Sequence, residues 1–309
     1  MRVRVLAFGI VASLLVGCSA LPASSTSGLD NAKPASFERP AKNDLLYISE
    51  QQSAEVNVYA YSDGHIGQKV FGMNAFRSPN GMCTNKDGDV FITDSGYSKI
   101  FRYHHGGNVP YRTIHEPGME RASSCSVSPV TAELAVANHQ NWHGNVRIFP
   151  ADKHTGKAYK LSRVDTPFSL AYDNQGNLFV TSSQGHLYEL ALHGSEFEQL
   201  SINGGTLEYP LGIVFTNPYL LVAAVGSNNE GVGYKMTVAN GVAQVDSIIP
   251  FAGTEEALTL AFRAGNVIVP DFYHDAVRVY SASDGTLISS ISDQIFKPYS
   301  AVVSEPPPK

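Results

Sequence analysis

Residues 79–103 read "PNGMCTNKDGDVFITDSGYSKIFRY": an apolar run, a turn at Lys86-Asp87-Gly88-Asp89, and a second apolar run. Eighty-eight residues on (167 − 79), "PFSLAYDNQGNLFVTSSQGHLYEL" repeats that order. Short β-branched and aromatic runs punctuated by Gly, Asn, Asp and Pro are strands and turns. A strand-turn-strand unit written twice raises the question of a period.

The period is about 44 residues. The runs "LLYIS", "DVFIT", "ELAVA", "NLFVT", "YLLVA" and "NVIVP" align on Leu46, Val90, Leu134, Leu178, Leu220 and Val267, in steps of 44, 44, 44, 42 and 47. A second set follows ("VNVYAY", "KIFRY", "NVRIF", "HLYEL", "GYKMTV", "AVRVY"), then a third ("QKVFG" through "LISSI"). A fourth set precedes the first ("GMCT", "CSV", "SLAY", "GIVF", "TLAF"). Four antiparallel strands per unit, six times over, predict an all-β, six-bladed β-propeller. The first unit lacks its preceding strand, and the last apolar run, "YSAVV" (Tyr299 to Val303), matches it. The C-terminal strand is therefore expected to close the ring as the innermost strand of the first blade, leaving no free edge.

The N-terminus gives an address. Arg2 and Arg4 precede a 12-residue apolar run, Val5 to Val16. That is short of the ~20 residues a bilayer helix needs and suits the h-region of a secretory signal. Leu15-Val16-Gly17-Cys18 resembles a bacterial lipobox. The resemblance implies cleavage before Cys18, acylation there, and stable anchoring by two or more chains; an ordinary cleaved signal with a chance Cys is the plainer alternative. Ser19 resembles the outer-membrane-directed pattern. The expected organisation is a signal at 1–17, a lipidated Ser/Ala/Pro-rich tether at 18–43 reaching roughly 25–30 Å, the propeller at 44–303, and an unstructured tail at 304–309. The chain is then exported and held to the cell membrane or outer membrane, its domain outside the cytoplasm. The net charge is −6, or −8 without Arg2 and Arg4, and no Lys/Arg cluster occurs, which argues against nucleic acid. A single propeller reads as a monomeric domain.

The order P-x-G-hydrophobic, D-x-x-G-N, second strand, carried by "PNGMCTNKDGDVFITDSGYSKIFRY" and "DNQGNLFVTS", resembles NHL repeats and the gluconolactonase (sugar-lactonase) family. The likeness covers 44–303 as architecture and is sharp in two or three units. In the lactonases it implies one divalent cation at the centre of the top face, held by Glu, Asn and Asp, some of them just after the Pro of P-x-G, and activating lactone and water. Chain direction puts the loops before each first strand, and those between second and third, on that face. Here Asn80 matches, but its counterparts are Ser123, Phe168, Leu211, Leu258 and Tyr299. One oxygen ligand in six makes a poor site for a hard cation. The first reading is therefore a non-catalytic module with no cofactor, binding an unknown small molecule or protein. The alternative is a metal-dependent hydrolase of lactonase type with a cation such as Ca²⁺ on Asn80, Glu255 and Glu256.

The mouth formed by Phe168, Leu211, Leu258 and Tyr299 suits a pocket and equally suits plain packing of innermost strands. The top loops add His139, Trp142 and His143 in "NHQNWHG", Asp271, Tyr273, His274 and Asp275 in "PDFYHDA", and Tyr97. These are solvated loop residues or a recognition surface. Asp94 and Asp271, directly after a second strand, read as turn caps. No G-x-S-x-G, P-loop or dinucleotide motif is present.

Cys83 and Cys125 fall on innermost strands of adjacent blades. Residues meeting across a blade gap must lie on opposite sheet faces, an odd offset between equivalent strands. Five turn residues (Asn85 to Asp89) follow Thr84 and six (Ser128 to Glu133) follow Val127. Aligning Thr84 with Val127 places Cys125 at the level of Met82, an offset of one, so the sulfurs face each other. Ignoring the extra turn residue gives an offset of two and no bond. An exported compartment favours the disulfide; two buried thiols are the alternative.

Overall fold

A computed structural model describes residues 42–308, apart from 116, 117, 120, 139–143, 163, 164, 208 and 227. Every regular element among the described residues is a β-strand. Blade 1 contains β1 (Leu45–Glu50), β2 (Glu55–Ser62) and β3 (His65–Met73). Blade 2 is β4 (Pro79–Thr84), β5 (Val90–Asp94), β6 (Lys99–Tyr103) and β7 (Arg112–Ile114). Blade 3 is β8 (Ala122–Val127), β9 (Leu134–Asn138), β10 (Asn145–Phe149) and β11 (Lys157–Tyr159). Blade 4 is β12 (Pro167–Tyr172), β13 (Leu178–Ser182), β14 (Leu187–Leu190) and β15 (Glu198–Gln199). After β16 (Ser201–Asn203), blade 5 is β17 (Ile213–Phe215), β18 (Leu220–Val225), β19 (Gly231–Ala239) and β20 (Val242–Phe251). Blade 6 is β21 (Ala261–Arg263), β22 (Asn266–Asp271), β23 (Ala276–Ser281) and β24 (Leu287–Ile291), and the last strand is β25 (Pro298–Ser304).

The chain is a six-bladed β-propeller. β25 lies innermost in blade 1, in the order β25-β1-β2-β3, antiparallel to β1 from Leu45↔Ser304 to Glu50↔Pro298. The expected closure is thus present. Order continues past residue 303: Ser304 is buried in β25, and Glu305 pairs with Arg263 at 2.6 Å. Blade 5 differs from expectation. The run "FEQLS" divides, Glu198–Gln199 joining blade 4 while β16 pairs parallel with β20 as a fifth strand of blade 5.

Strands β1, β5, β9 and β13 are buried at every residue. Each blade is covered on both faces by its neighbours, which is why these runs read as continuous rather than alternating. The turn after each innermost strand explains the repeated K-D-G-D and N-Q-G-N. Asn85 Oδ1 accepts from the N–H groups of Asp87 (3.1 Å) and Asp89 (2.9 Å). Asp173 Oδ1 does the same for Gln175 and Asn177, at 2.9 and 2.8 Å. These are Asx-turns, and the glycine of each, Gly88 or Gly176, has positive φ.

Every blade junction is fastened at the inner strands. Ser49 Oγ donates to Asn80 O (2.6 Å) between blades 1 and 2. Tyr172 N donates to Ser126 Oγ (3.1 Å) between blades 3 and 4. Thr181 Oγ1 donates to Leu211 O (2.7 Å), Gly212 N to Ala257 O (3.2 Å) and Thr259 Oγ1 to Tyr299 O (3.1 Å) across the next three junctions. Between blades 2 and 3 the link is covalent. Cys83 and Cys125 form a disulfide, with Cα atoms 5.6 Å apart. Thr84 pairs with Val90 and Val127 with Leu134, so the register is the offset of one expected from the turn lengths.

Candidate functional site

The position after the Pro of P-x-G is structurally distinct. The register with the second strand shifts there in four blades: between Pro79 and Met82, Ala122 and Ser124, Pro167 and Ser169, and opposite Ser49/Glu50 at Tyr299. A bulge re-aims a side chain, and here the side chains concerned are Asn80, Ser123, Phe168 and Tyr299. The residue after it is small in every blade (Gly81, Ser124, Ser169, Gly212, Thr259, Ser300) because the next blade packs on it. A Cβ added at Gly81 would overlap the Ser123–Ser124 backbone, and one at Gly212 the Thr259 backbone.

Within this ring Asn80 is buried, and its Oδ1 accepts from Gln51 Nε2 at 2.8 Å. Phe168, Leu211, Leu258 and Tyr299 are half-buried, and burial pushes the Tyr299 phenol up to about 12. Ala257 bridges to Asp271 as Pro79 pairs with Asp94, so Leu258, not Glu255 or Glu256, occupies the Asn80 position in blade 6. The two glutamates precede it on the same rim. Burial, then the Glu255 charge, raises the Glu256 carboxyl above its ordinary range.

The last residue of the second strand is a cap that ties the top loops together. Asp94 accepts from the N–H groups of Arg77 (2.8 Å), Ser78 (3.2 Å) and Tyr97 (3.0 Å). Asn138 Oδ1 accepts from Arg121 N at 3.1 Å. Glu50, fully buried, accepts from Phe296 N (3.0 Å) and Asn57 Nδ2 (2.6 Å), and burial raises its carboxyl. Asp271, fully buried, takes the Arg278 guanidinium and holds His274 Nδ1 at 2.8 Å. These caps fasten the described top loops to the strand ends, and the exposed groups stand on them. Tyr97 and Tyr273 are 46% and 50% exposed. Lys297 Nζ lies 5.2 Å from the Phe272 ring and 5.9 Å from that of Tyr273. His139, Trp142 and His143 lie outside the described residues.

One rim group escaped the sequence reading. His186, in the turn of blade 4 that corresponds to the His274 turn, places Nδ1 2.8 Å from Oδ2 of buried Asp165, which also accepts from the Tyr188 hydroxyl. Burial, then the Asp165 hydrogen bond, pushes the Tyr188 phenol up to about 12. The signal was available in the second opening repeat, "SSQGHLYEL", where half-exposed His186 directly precedes buried Leu187. Among the described residues no three His, Cys, Asp or Glu side chains gather as a metal cluster.

At the opposite, bottom end of the channel lies a cavity of about 310 Å³ lined by the lower halves of the innermost strands of all six blades.

No protein-family profile and no curated protein matches the chain. Solved structures do resemble it. A chain of a nidogen/laminin complex superposes with a TM-score of 0.68 at 14% identity, over 86% of this chain and 100% of that one. A Bacteroides caccae protein of unknown function gives 0.60 at 13% identity, over 85% and 99%. Virginiamycin B lyase from Staphylococcus aureus gives 0.57 at 14%, over 84% of each chain. At such identities the likeness establishes the fold alone.

Proposed function

We propose that this chain is an exported, lipid-anchored propeller that binds a small-molecule or protein ligand through its top rim without catalysing a reaction. The observation that carries the reading is the pairing of exposed aromatic and imidazole groups with fixed supports: Tyr97 on the loop capped by Asp94, His274 on Asp271, His186 on Asp165. The two imidazoles, held by buried carboxylates, lose little freedom on binding, and at Tyr97 the backbone is what is held. The ring inside this rim presents mainly carbon (Phe168, Leu211, Leu258, Tyr299), and the amide of Asn80 is engaged by Gln51. The solved likeness to a propeller chain from a protein–protein complex is compatible with this reading.

A second reading, a metal-dependent hydrolase of the sugar-lactonase type, is favoured by the adjacent Glu255 and Glu256 on the same rim. Two measurements decide. Partner or ligand capture by the full-length protein from the envelope fraction is expected to fall in Tyr97→Ala/Tyr273→Ala and to persist in Val70→Ala on the exposed outer edge of blade 1. Metal analysis of the purified protein reverses the ranking if it finds stoichiometric Ca²⁺ or Zn²⁺. The anchor is tested separately: Cys18→Ser is expected to abolish fatty-acid labelling, and unchanged labelling overturns it.

A further inference from the structure

The bottom cavity is a second binding site candidate at the other end of the channel, independent of the rim. Its walls follow from register. The residue after each innermost strand closes its turn with a main-chain bond: Asn85 N to Asp89 O (3.2 Å), Ser128 N to Glu133 O (2.8 Å), Asp173 N to Asn177 O (2.9 Å), Thr216 N to Tyr219 O (2.7 Å). Partners alternate along an antiparallel ladder. The preceding residue therefore turns its N–H and C=O away from its blade, toward the axis. The residues so placed are Thr84, Val127, Tyr172 and Phe215, with Phe262 and Val303 equivalent in blade 6 and the closing strand. All six line the cavity. They pair with Val90, Leu134, Leu178, Leu220, Val267 and Leu46, the six residues that mark the sequence period. The cavity thus has main-chain polar groups from every blade, save that the N–H of Tyr172, and one step up that of Met82, are taken by Ser126 Oγ and Ser300 Oγ of the neighbouring blades.

This chemistry restricts the occupant. Main-chain polar groups that lose their water to an occupant require partners from it, so an apolar molecule would strand them. An ion finds no counter-charge. Asp173 is the one carboxylate in the wall, and no Lys, Arg or His lines it. Its Oδ1 already serves Gln175 and Asn177, and its Oδ2 the Asn177 amide at 2.8 Å. A volume of 310 Å³ is at the small end of ligand pockets and holds on the order of ten waters. We infer that the bottom cavity binds a small neutral polyol, a molecule carrying donors and acceptors around its whole periphery and no charge.

Asn174 stands exposed at the mouth, its Nδ2 3.5 Å from Asn217 Oδ1 of the next blade. A bulky side chain there narrows the entrance without entering the core. The test uses the full-length protein in detergent, with myo-inositol and glucose as probes and gluconate as an anion of similar size, titrated by saturation-transfer NMR. Saturable binding of either polyol is expected, with gluconate weaker by about tenfold or more. Asn174→Trp should weaken the polyol about tenfold at an unchanged melting temperature, while Asn174→Ala and the rim variant Tyr273→Ala keep it. No saturable polyol binding, equal affinity for gluconate, or equal affinity in Asn174→Trp overturns the inference. None of these outcomes bears on the top-rim reading, which the envelope-capture experiment tests alone.

Discussion

At the residue scale, Gly88 shows how a turn signal becomes a structural requirement. Its φ is +79°, and an added Cβ would overlap the Glu305 carbonyl of the closing strand's extension. Gly241 has a similar φ of +76° but nothing within 4 Å of a Cβ. Ala at either position incurs the left-handed cost of roughly 1–2 kcal/mol; only Gly88→Ala adds overpacking of about 1–3 kcal/mol. Urea midpoints should therefore fall further for Gly88→Ala than for Gly241→Ala, and equal falls would show that the Glu305 contact is dispensable. One residue on, Asp89 gathers Arg102 (2.7 Å), His104 (2.8 Å) and Tyr111 (2.8 Å). Burial alone would raise its carboxyl, but the hydrogen bonds from Tyr111, His104 and Arg102 outweigh it and hold the carboxyl below its ordinary value. A carboxylate depressed in the folded state stabilises above the unfolded pKa, about 3.9, and loses that contribution as pH falls through the folded value. Asp89→Asn should accordingly be much less stable than the parent at pH 7, and the gap should close toward pH 3. A gap that is independent of pH would mean that packing, not charge, makes the difference.

At the element scale, legibility tracked burial. The second strand of each blade is covered on both faces, so its composition alone announced it, and six of them set the period. β16 left no such mark: Ser201–Asn203 is three residues with no apolar run, and only buried Leu200 beside it hints that the chain is held between two blades. The top rim was half legible for the same reason. Tyr97, Tyr273 and His274 stood out as unusual loop residues, whereas His186 read as the first residue of the strand run "HLYEL" and needed Asp165, 21 residues earlier, to become notable. The disulfide was legible because turn lengths fix register and register fixes the facing side. Its loop spans 42 residues, for which chain entropy gives about 3–4 kcal/mol. A Cys83→Ala/Cys125→Ala protein should lose stability on that order and melt independently of reductant. If reductant leaves the parent's melting unchanged, the bond contributes nothing to stability.

At the scale of the whole molecule, the ring is a cycle of six blades, and one of them is completed by the chain's last strand. β25 is antiparallel to β1 along its length, and its residues tie it on both sides. Ser300 Oγ accepts from Met82 N at 3.2 Å toward blade 2, and Tyr299 O accepts from Thr259 toward blade 6. At its lower end Ser304 Oγ donates to Gly88 O (2.6 Å) and contacts His105 Nδ1 (2.7 Å), while Arg263 joins Asp44 (2.8 Å) to Glu305 (2.6 Å). Truncation before Lys297 removes all of these at once except the Arg263–Asp44 pair. It uncovers the inner edge of β1, opens the blade 6–blade 1 core around Leu46, Ile48, Ile268 and Val277, and exposes a strand edge able to recruit another chain. The truncated protein should lose its cooperative melt and aggregate. Glu305→Ala, which removes only the outermost ion pair, should melt within about 1 kcal/mol of the parent, because a half-exposed pair contributes little. A truncated chain that melts as sharply as the full one would mean that five complete blades and an open sixth suffice, and that the closing strand is not what makes the six blades fold as one unit.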